Sequence, residues 1–176
     1  KNKINSLLII LRTCTSELIM DQNKERLFGK KKKEYTIRCL KSILKSLDHA
    51  SKYFKNIKFE ILVTDTNSET SDIKEMENIL KNYKIKNKLE IVDLKSFETK
   101  IKKGYSNAKF SNMANFYNSL IYAKNCDSDL IYFVEDDYIH SIDTIKEMLF
   151  SYEKFSTFFN KDLVLLPSDY PYLYMK

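Results

Sequence analysis

The sequence predicts an α/β fold in which helices cover both faces of a mostly parallel sheet, as a three-layer αβα sandwich. Short apolar runs alternate with segments of helical periodicity five times along the 176 residues. The predicted strands are nearly continuous apolar runs, which is typical of strands that are buried on both faces. With 43% hydrophobic residues and no linker rich in Pro, Gly or Ser, residues 1–176 are expected to form one domain.

The first half of the chain predicts two strands and two helices. Residues 6–13 (SLLIILRT) and 59–64 (FEILVT) are apolar runs, and they predict the strands Ser6–Thr13 and Phe59–Thr64. Glu34–Phe54 and Ser71–Tyr83 repeat apolar residues three or four positions apart, which predicts amphipathic helices. The lysine run Lys30–Lys33 precedes the first helix and is expected in a surface loop.

The second half continues the alternation. Further apolar runs predict the strands Leu89–Leu94, Leu130–Val134 and Leu163–Leu166. Helical spacing predicts the helices Ser111–Lys124 and Ile142–Phe159. The last helix is expected to be entered through Ser141 or Thr144, with Glu147 completing a capping box.

Composition excludes several classes of protein. The only glycines are Gly29 and Gly104, so neither a P-loop nor a Gly-x-Gly-x-x-Gly dinucleotide turn can form. The three cysteines and two histidines are scattered without a Cys-x-x-Cys pair, which argues against a zinc finger or a disulfide framework. An odd number of cysteines is typical of the reducing cytosol, so a cytoplasmic location is expected.

The net charge of +6 comes almost entirely from lysine, since only three residues are arginine. Nucleic-acid readers usually depend on arginine forks, so no nucleic-acid partner is expected. No apolar run reaches the ~20 residues of a membrane span, and the N-terminus has no signal-peptide pattern. The lysine-rich segments do allow a peripheral contact with anionic lipid at the cytoplasmic face of a membrane.

One acidic block stands out in this basic chain. Residues 125–143 hold six acids and no Lys or Arg, and they include the triplet Glu135, Asp136 and Asp137 directly after a predicted strand. Ligands of open α/β sheets bind at the carboxyl ends of strands, and carboxylates there suit Mg²⁺ or Mn²⁺. Alternation along the chain is expected to put Glu135 and Asp137 on one side and Asp136 on the other. An acidic turn that caps the next helix is the alternative.

Two other strand ends carry polar residues. Asp65 ends the second strand and is followed by Thr66, Asn67 and Ser68, a pattern that suits contact with a ribose or a base edge. Capping of a helix or a turn is the alternative, and from these residues alone it is the favoured one. At the end of the first strand, Arg12 is a candidate for pairing with phosphate or for a salt bridge.

The order of these pieces resembles the nucleotide-binding half of a GT-A-fold glycosyltransferase of the large family-two type. In that family the acid triplet is the Asp-x-Asp motif, which matches Glu135-Asp136-Asp137 with Glu in place of the first Asp. The resemblance further implies donor-binding residues at the strand ends and in the helix before the motif. These are Arg12, Thr13, Asp65, Lys109, Asn112, Asn115 and Asp136.

The resemblance implies a metal-dependent hexosyltransferase, of the kind that bacteria use to build cell-surface polysaccharides. It would move a sugar from a nucleoside diphosphate sugar to a glycan or lipid-linked hydroxyl acceptor. Asp137 and Glu135 would hold Mn²⁺ or Mg²⁺, Asp136 would bind the donor ribose or sugar, and Asp65 the nucleobase. Asp169 is the candidate catalytic base.

Members of that family usually extend beyond this length, so the domain is expected to lack a C-terminal acceptor region or to be a minimal relative. Two alternative functions stay open. One is an inactive or truncated nucleotide-binding protein of the same fold. The other is a nucleotidyltransferase, although such enzymes usually open with a Gly-rich loop that this sequence does not contain.

Overall fold

The structure is a computed structural model that describes residues 4–16 and 27–166. The described strands are β1 (Ser6–Thr13), β2 (Lys58–Asp65), β3 (Lys86–Ile91) and β4 (Leu130–Glu135). The described helices are α1 (Lys32–Tyr53), α2 (Thr70–Lys81), α3 (Asn107–Asn125) and α4 (Thr144–Phe159). Short 3₁₀ turns occur at Leu27–Gly29 and Leu94–Phe97. None of the described helices is both long and apolar enough to cross a membrane.

The four strands form one sheet in the order β3-β2-β1-β4, and every neighbouring pair is parallel. The chain moves outward from β1 to β3 on one side and then returns to place β4 on the other side of β1. The direction of winding therefore reverses between β1 and β4, which is the topological switch point of a doubly wound sheet.

Helices cover both faces of this sheet, which confirms the predicted three-layer α/β arrangement. One face packs against α1, α2 and α4, and its core includes Ile9 and Leu11 of β1 with Leu40, Leu44 and Leu47 of α1. The other face packs against α3, where Leu8, Ile10 and Leu62 meet Tyr122 and Ala123. Successive residues of β1 thus enter opposite layers, as the alternation of a strand requires.

The fifth predicted strand is wrong in the described residues. Leu163–Leu166 has no strand structure, and Val164 and Leu166 are 91% and 85% exposed. A strand needs a hydrogen-bonding neighbour, and β4 pairs only with β1 within residues 4–16 and 27–166. An apolar run alone does not supply that neighbour.

Several element boundaries also differ from prediction, among them the start of α1 and the end of β3. Helix α1 begins at Lys32, so half of the lysine run is helical rather than loop. Strand β3 ends at Ile91, because Asp93 accepts a hydrogen bond from the Lys95 amide (3.1 Å) and starts a 3₁₀ turn there.

The predicted capping box of α4 does not form. Asp143 is the N-cap residue and its side chain makes no capping bond. The hydroxyls of Ser141 and Thr144 bond to each other instead, at 3.0 Å.

Candidate functional site

The carboxyl ends of β1, β2 and β4 meet at one edge of the sheet, beside the switch point. Thr13 of β1 lies level with Asp65 of β2, and Arg12 lies level with Glu135 of β4. The parallel register therefore brings together the three strand ends that the sequence singles out. This edge is the candidate functional site.

Asp65 is the buried centre of the loops that follow β1 and β2. Its carboxylate accepts hydrogen bonds from the Thr13 hydroxyl (2.6 Å), the Ser68 hydroxyl (2.6 Å) and the Ser68 amide (3.1 Å). The Ser68 oxygen also accepts the Thr15 amide at 2.8 Å, so Asp65 indirectly fixes the loop after β1. Burial raises the pKa of Asp65. At 1% exposure, Asp65 could contact a nucleobase only after Thr13 or Ser68 moved.

Asn115 joins α3 to the same strand ends. Its amide donates to the carbonyl oxygens of Thr64 (2.9 Å) and Thr13 (3.3 Å), and its side-chain oxygen accepts the Thr64 hydroxyl at 2.7 Å. Asn115 is 3% exposed, whereas the other predicted asparagine of this helix, Asn112, lies at the surface. Asn115 therefore positions the strand ends and does not face solvent.

Asp136 is the buried member of the acid triplet. It accepts hydrogen bonds from the Cys14 amide (3.1 Å) and the Thr36 hydroxyl (2.8 Å), and the Lys32 amine lies 3.6 Å away. These contacts connect the turn after β4 to the loop after β1 and to the start of α1. Lys32 and Thr36 were not identified from the sequence. Thr36 already lies inside the predicted helix Glu34–Phe54. Lys32 belongs to the lysine run that predicts a loop, although extending the helical spacing backward would have included it.

Glu135 and Asp137 are exposed on either side of buried Asp136, in the expected alternation. Glu135 forms an ion pair with Arg12, whose guanidinium also lies 5.0 Å from the centre of the Phe116 ring. Arg12 thus takes the salt bridge that the sequence offered as the alternative to a phosphate contact.

Asp137 makes no hydrogen bond or ion pair to another residue of the described chain. The residue lies at the surface. Partial desolvation of its carboxyl group raises its pKa, repulsion from the Asp136 and Glu135 carboxylates raises it further, and attraction to Lys32 opposes this rise. Of the three carboxylates, Asp137 is therefore the one whose oxygens remain available to coordinate a metal ion.

Two further carboxylates of the acidic block have partners within the protein. Asp143 lies 2.5 Å from the amine of Lys146. Asp129 binds the backbone amides of Asn5 (2.7 Å) and Ser6 (3.0 Å) at the opposite edge of the sheet. The block is therefore not one uncompensated charge cluster, and its unmatched charge at the candidate site is concentrated at Asp137.

The remaining predicted residues have different surroundings. Lys109 is exposed in the first turn of α3, with its amine 4.2 Å from the centre of the Tyr105 ring. Asp169 lies outside the described residues. His140, which follows the triplet, is buried. Its imidazole bonds to the Tyr132 hydroxyl at 3.0 Å, and its amide donates to Ser42 at 3.1 Å.

A metal ion would have to share its coordination with a ligand at this site. Among the described residues, no three His, Cys, Asp or Glu side chains come together as a metal cluster. Mg²⁺ commonly binds through one or two carboxylates together with substrate phosphates and water. The hard oxygen donors of Asp137 and Glu135, with the repulsion that raises the pKa of Asp137, fit such a shared site.

Comparison with known proteins gives little beyond this geometry. No family model matches the chain, and no curated protein matches it. Among solved structures, the chain is similar to the crystal structure of S. aureus TarS 1-349, with a TM-score of 0.46 and 15% identity. The match covers 85% of this chain and 32% of that one, so this chain spans about a third of its length. A likeness at that TM-score is too low to assign a fold family.

Proposed function

We propose that this chain forms the donor-binding part of a glycosyltransferase that moves a sugar from a nucleoside diphosphate sugar to a hydroxyl acceptor, assisted by Mn²⁺ or Mg²⁺. One observation carries the proposal. At the switch point of a parallel sheet, the hydrogen-bonded loops after β1 and β2 meet an acidic turn after β4. Open α/β sheets bind their ligands at that place.

Asp137 and Glu135 would hold the divalent cation. When bound, the cation supplies a Lewis acid that offsets the charge on the departing nucleoside diphosphate. The triplet is suited to it because three adjacent carboxylates repel one another, and at Asp137 the attraction of Lys32 only partly opposes that repulsion. Glu135 would have to turn at least partly away from Arg12, which would free that guanidinium to bind a phosphate.

Basic side chains around the site would attract the doubly charged diphosphate. Lys109 is exposed at the start of α3, and Lys32 lies beside Asp136 at the start of α1. Positive charge at developing anions stabilises a transition state when it is fixed in advance. We assign Asp65 and Asn115 to positioning, since both hold the loops where the base and ribose would lie. Direct donor contacts for Thr13, Asp65, Asn112 and Asp136 stay predictions.

The acceptor side of the reaction also stays a prediction. An inverting enzyme needs a carboxylate base to remove the acceptor proton, and Asp169 is our candidate. A glycan or a lipid-linked acceptor and a hexosyl donor are the expected substrates.

A second function, nucleotide binding without transfer, is favoured by the burial of two predicted donor contacts. Asp65 and Asp136 both use their oxygens within the protein. Turnover of a sugar nucleotide distinguishes a transferase from such a binding protein. The product distinguishes it from a nucleotidyltransferase, which would release pyrophosphate rather than a nucleoside diphosphate.

The first experiment is thermal unfolding with UDP, GDP, CDP, ADP and dTDP, each with Mn²⁺ or with EDTA. A ligand at a hundredfold excess over its Kd stabilises the native state by about 2.7 kcal/mol. We expect one nucleotide to stabilise the protein, and only when Mn²⁺ is present. The absence of any such stabilisation would reject the donor site.

The matched variants are Asp137→Asn and Asp127→Asn. Asp127 is an exposed acid just before the opposite end of β4, so it controls for the general loss of a negative charge. We expect Asp137→Asn to abolish the Mn²⁺-dependent stabilisation and Asp127→Asn to preserve it. Equal stabilisation of the two variants would reject Asp137 as a metal ligand.

A further inference from the structure

Helix α3 presents an apolar stripe to solvent. Its exposed side chains follow the helical spacing of three and four residues, and each is between 37% and 42% exposed. They are Met113, Phe116, Tyr117, Leu120 and Ile121. The opposite side of the helix packs onto the sheet through small and polar residues such as Ala114 and Ser119. We call the five exposed residues the α3 stripe.

Positive charge lies at both ends of the α3 stripe. Lys109 and Lys124 lie at its two ends on the same side of the helix, four residues before Met113 and four residues after Leu120. Helix α3 contains no acidic residue at all. The segment before it packs on the stripe through the rings of Phe97 and Tyr117, 5.8 Å apart, and it carries more lysines.

Across residues 93–125 there are six lysines and two acids, a net charge of +4. Some lysines elsewhere in the described chain, such as Lys33, Lys86 and Lys146, pair with carboxylates. The six lysines of this segment are exposed, and none forms an ion pair within the described residues. They are Lys95, Lys100, Lys102, Lys103, Lys109 and Lys124.

We propose that the α3 stripe and these six lysines form a surface that docks on an anionic lipid bilayer. An exposed apolar helix side flanked by lysine lies in the boundary between headgroups and acyl chains. Lysine stems extend along apolar surface and place their amines among anionic headgroups, where each contributes about 1 kcal/mol. An anionic bilayer matches both parts of this surface, because its headgroups attract the lysines and its hydrocarbon accepts the apolar stripe. This inference goes beyond the proposed function and does not depend on it, and the other five lysines carry it if Lys109 serves the donor.

Flotation of the full chain with lipid vesicles tests the proposal. We expect binding to vesicles that contain phosphatidylglycerol, weak binding to pure phosphatidylcholine, and a loss of binding as salt is raised. The variant Lys102→Glu/Lys103→Glu should weaken binding to anionic vesicles by roughly fivefold or more per lysine. The variant Leu120→Ser/Ile121→Ser should weaken it without changing the charge.

Matched controls distinguish binding through this surface from non-specific binding to vesicles. Lys41→Glu/Lys45→Glu makes the same charge change on the exposed side of α1, and Phe158→Ser removes an apolar residue that is 79% exposed on α4. Both controls should bind as the unaltered protein does. No binding to anionic vesicles would overturn the proposal, and so would equal losses in the controls. Self-association that depends on Leu120 and Ile121, in place of vesicle binding, would assign the stripe to a second copy of the chain.

Discussion

Acidification should destabilise this protein through His140. The imidazole is enclosed between β4 and α1, where it bonds to the Tyr132 hydroxyl at 3.0 Å. Burial lowers the pKa of His140 from 6.5 to about 4, because the charged form loses its hydration. In the unfolded chain the imidazole takes up a proton near pH 6.5, whereas in the folded chain it does so only near pH 4.

The sign follows from proton uptake. Between those two pH values the unfolded state binds more protons than the native state, so the free energy of unfolding falls as the pH falls. A pKa difference of one corresponds to about 1.4 kcal/mol. The separation between 6.5 and about 4 therefore corresponds to ~3 kcal/mol of stability, present above pH 6.5 and lost by pH 4. That is a large part of the 5–15 kcal/mol typical of folded domains.

The assay is urea unfolding, followed by circular dichroism at several pH values between 4 and 7. Asp65 and Asp137 oppose the trend, because their raised pKa values add stability as the pH falls. The informative quantity is therefore the difference between the unaltered protein and His140→Gln, which cannot take up the proton. His49→Gln is the matched control at the other histidine. If His140→Gln shows the same pH dependence as the unaltered protein, the reasoning about burial is refuted.

Two further predictions concern buried polar groups. Asn115→Ala should lower the free energy of unfolding by about 2–4 kcal/mol, since it removes three hydrogen bonds and leaves buried partners unpaired. Urea unfolding measures this loss, and a loss below about 0.5 kcal/mol would contradict the positioning role. The Cys39 thiol should resist alkylation until the protein unfolds, because it is fully buried and burial raises its pKa. Mass spectrometry after iodoacetamide treatment should find label on Cys14 and Cys126 first, and early labelling of Cys39 would contradict the burial.

Much of the fold could be predicted from the sequence, because the spacing of apolar residues along a segment reflects which of its side chains are buried. Strand β1 has its predicted bounds, and β4 begins at the predicted residue, since each is an apolar run between polar residues. The alternation of strands and helices was enough to predict a parallel sheet. The same reasoning failed at Leu163–Leu166, because whether an apolar run becomes a strand depends on a neighbour that can pair with it.

The candidate site was predictable in position but not in detail. Because Glu135-Asp136-Asp137 directly follows a strand, these acidic groups are expected at the sheet edge however the helices pack. The sequence could not tell that Asp136 is enclosed by the Cys14 amide and Thr36, because those partners are about a hundred residues away along the chain. For the same reason Lys32 was missed, and Asp65 and Asn115 were predicted to bind a ligand when their observed contacts lie within the protein.

The layers of this protein and the edge of the sheet that carries its candidate site follow from the sequence alone, because periodicity and strand ends are local properties. Which polar side chains form hydrogen bonds inside the protein, and which remain available to a ligand, depends instead on how distant segments pack together. Hydrogen-bond partners and burial are set by segments distant in the chain, and they separate Asp136 from Asp137 although the two are adjacent in sequence. The exposed side of α3 also depends on the tertiary structure, since its apolar residues resemble core residues in the sequence but lie at the surface.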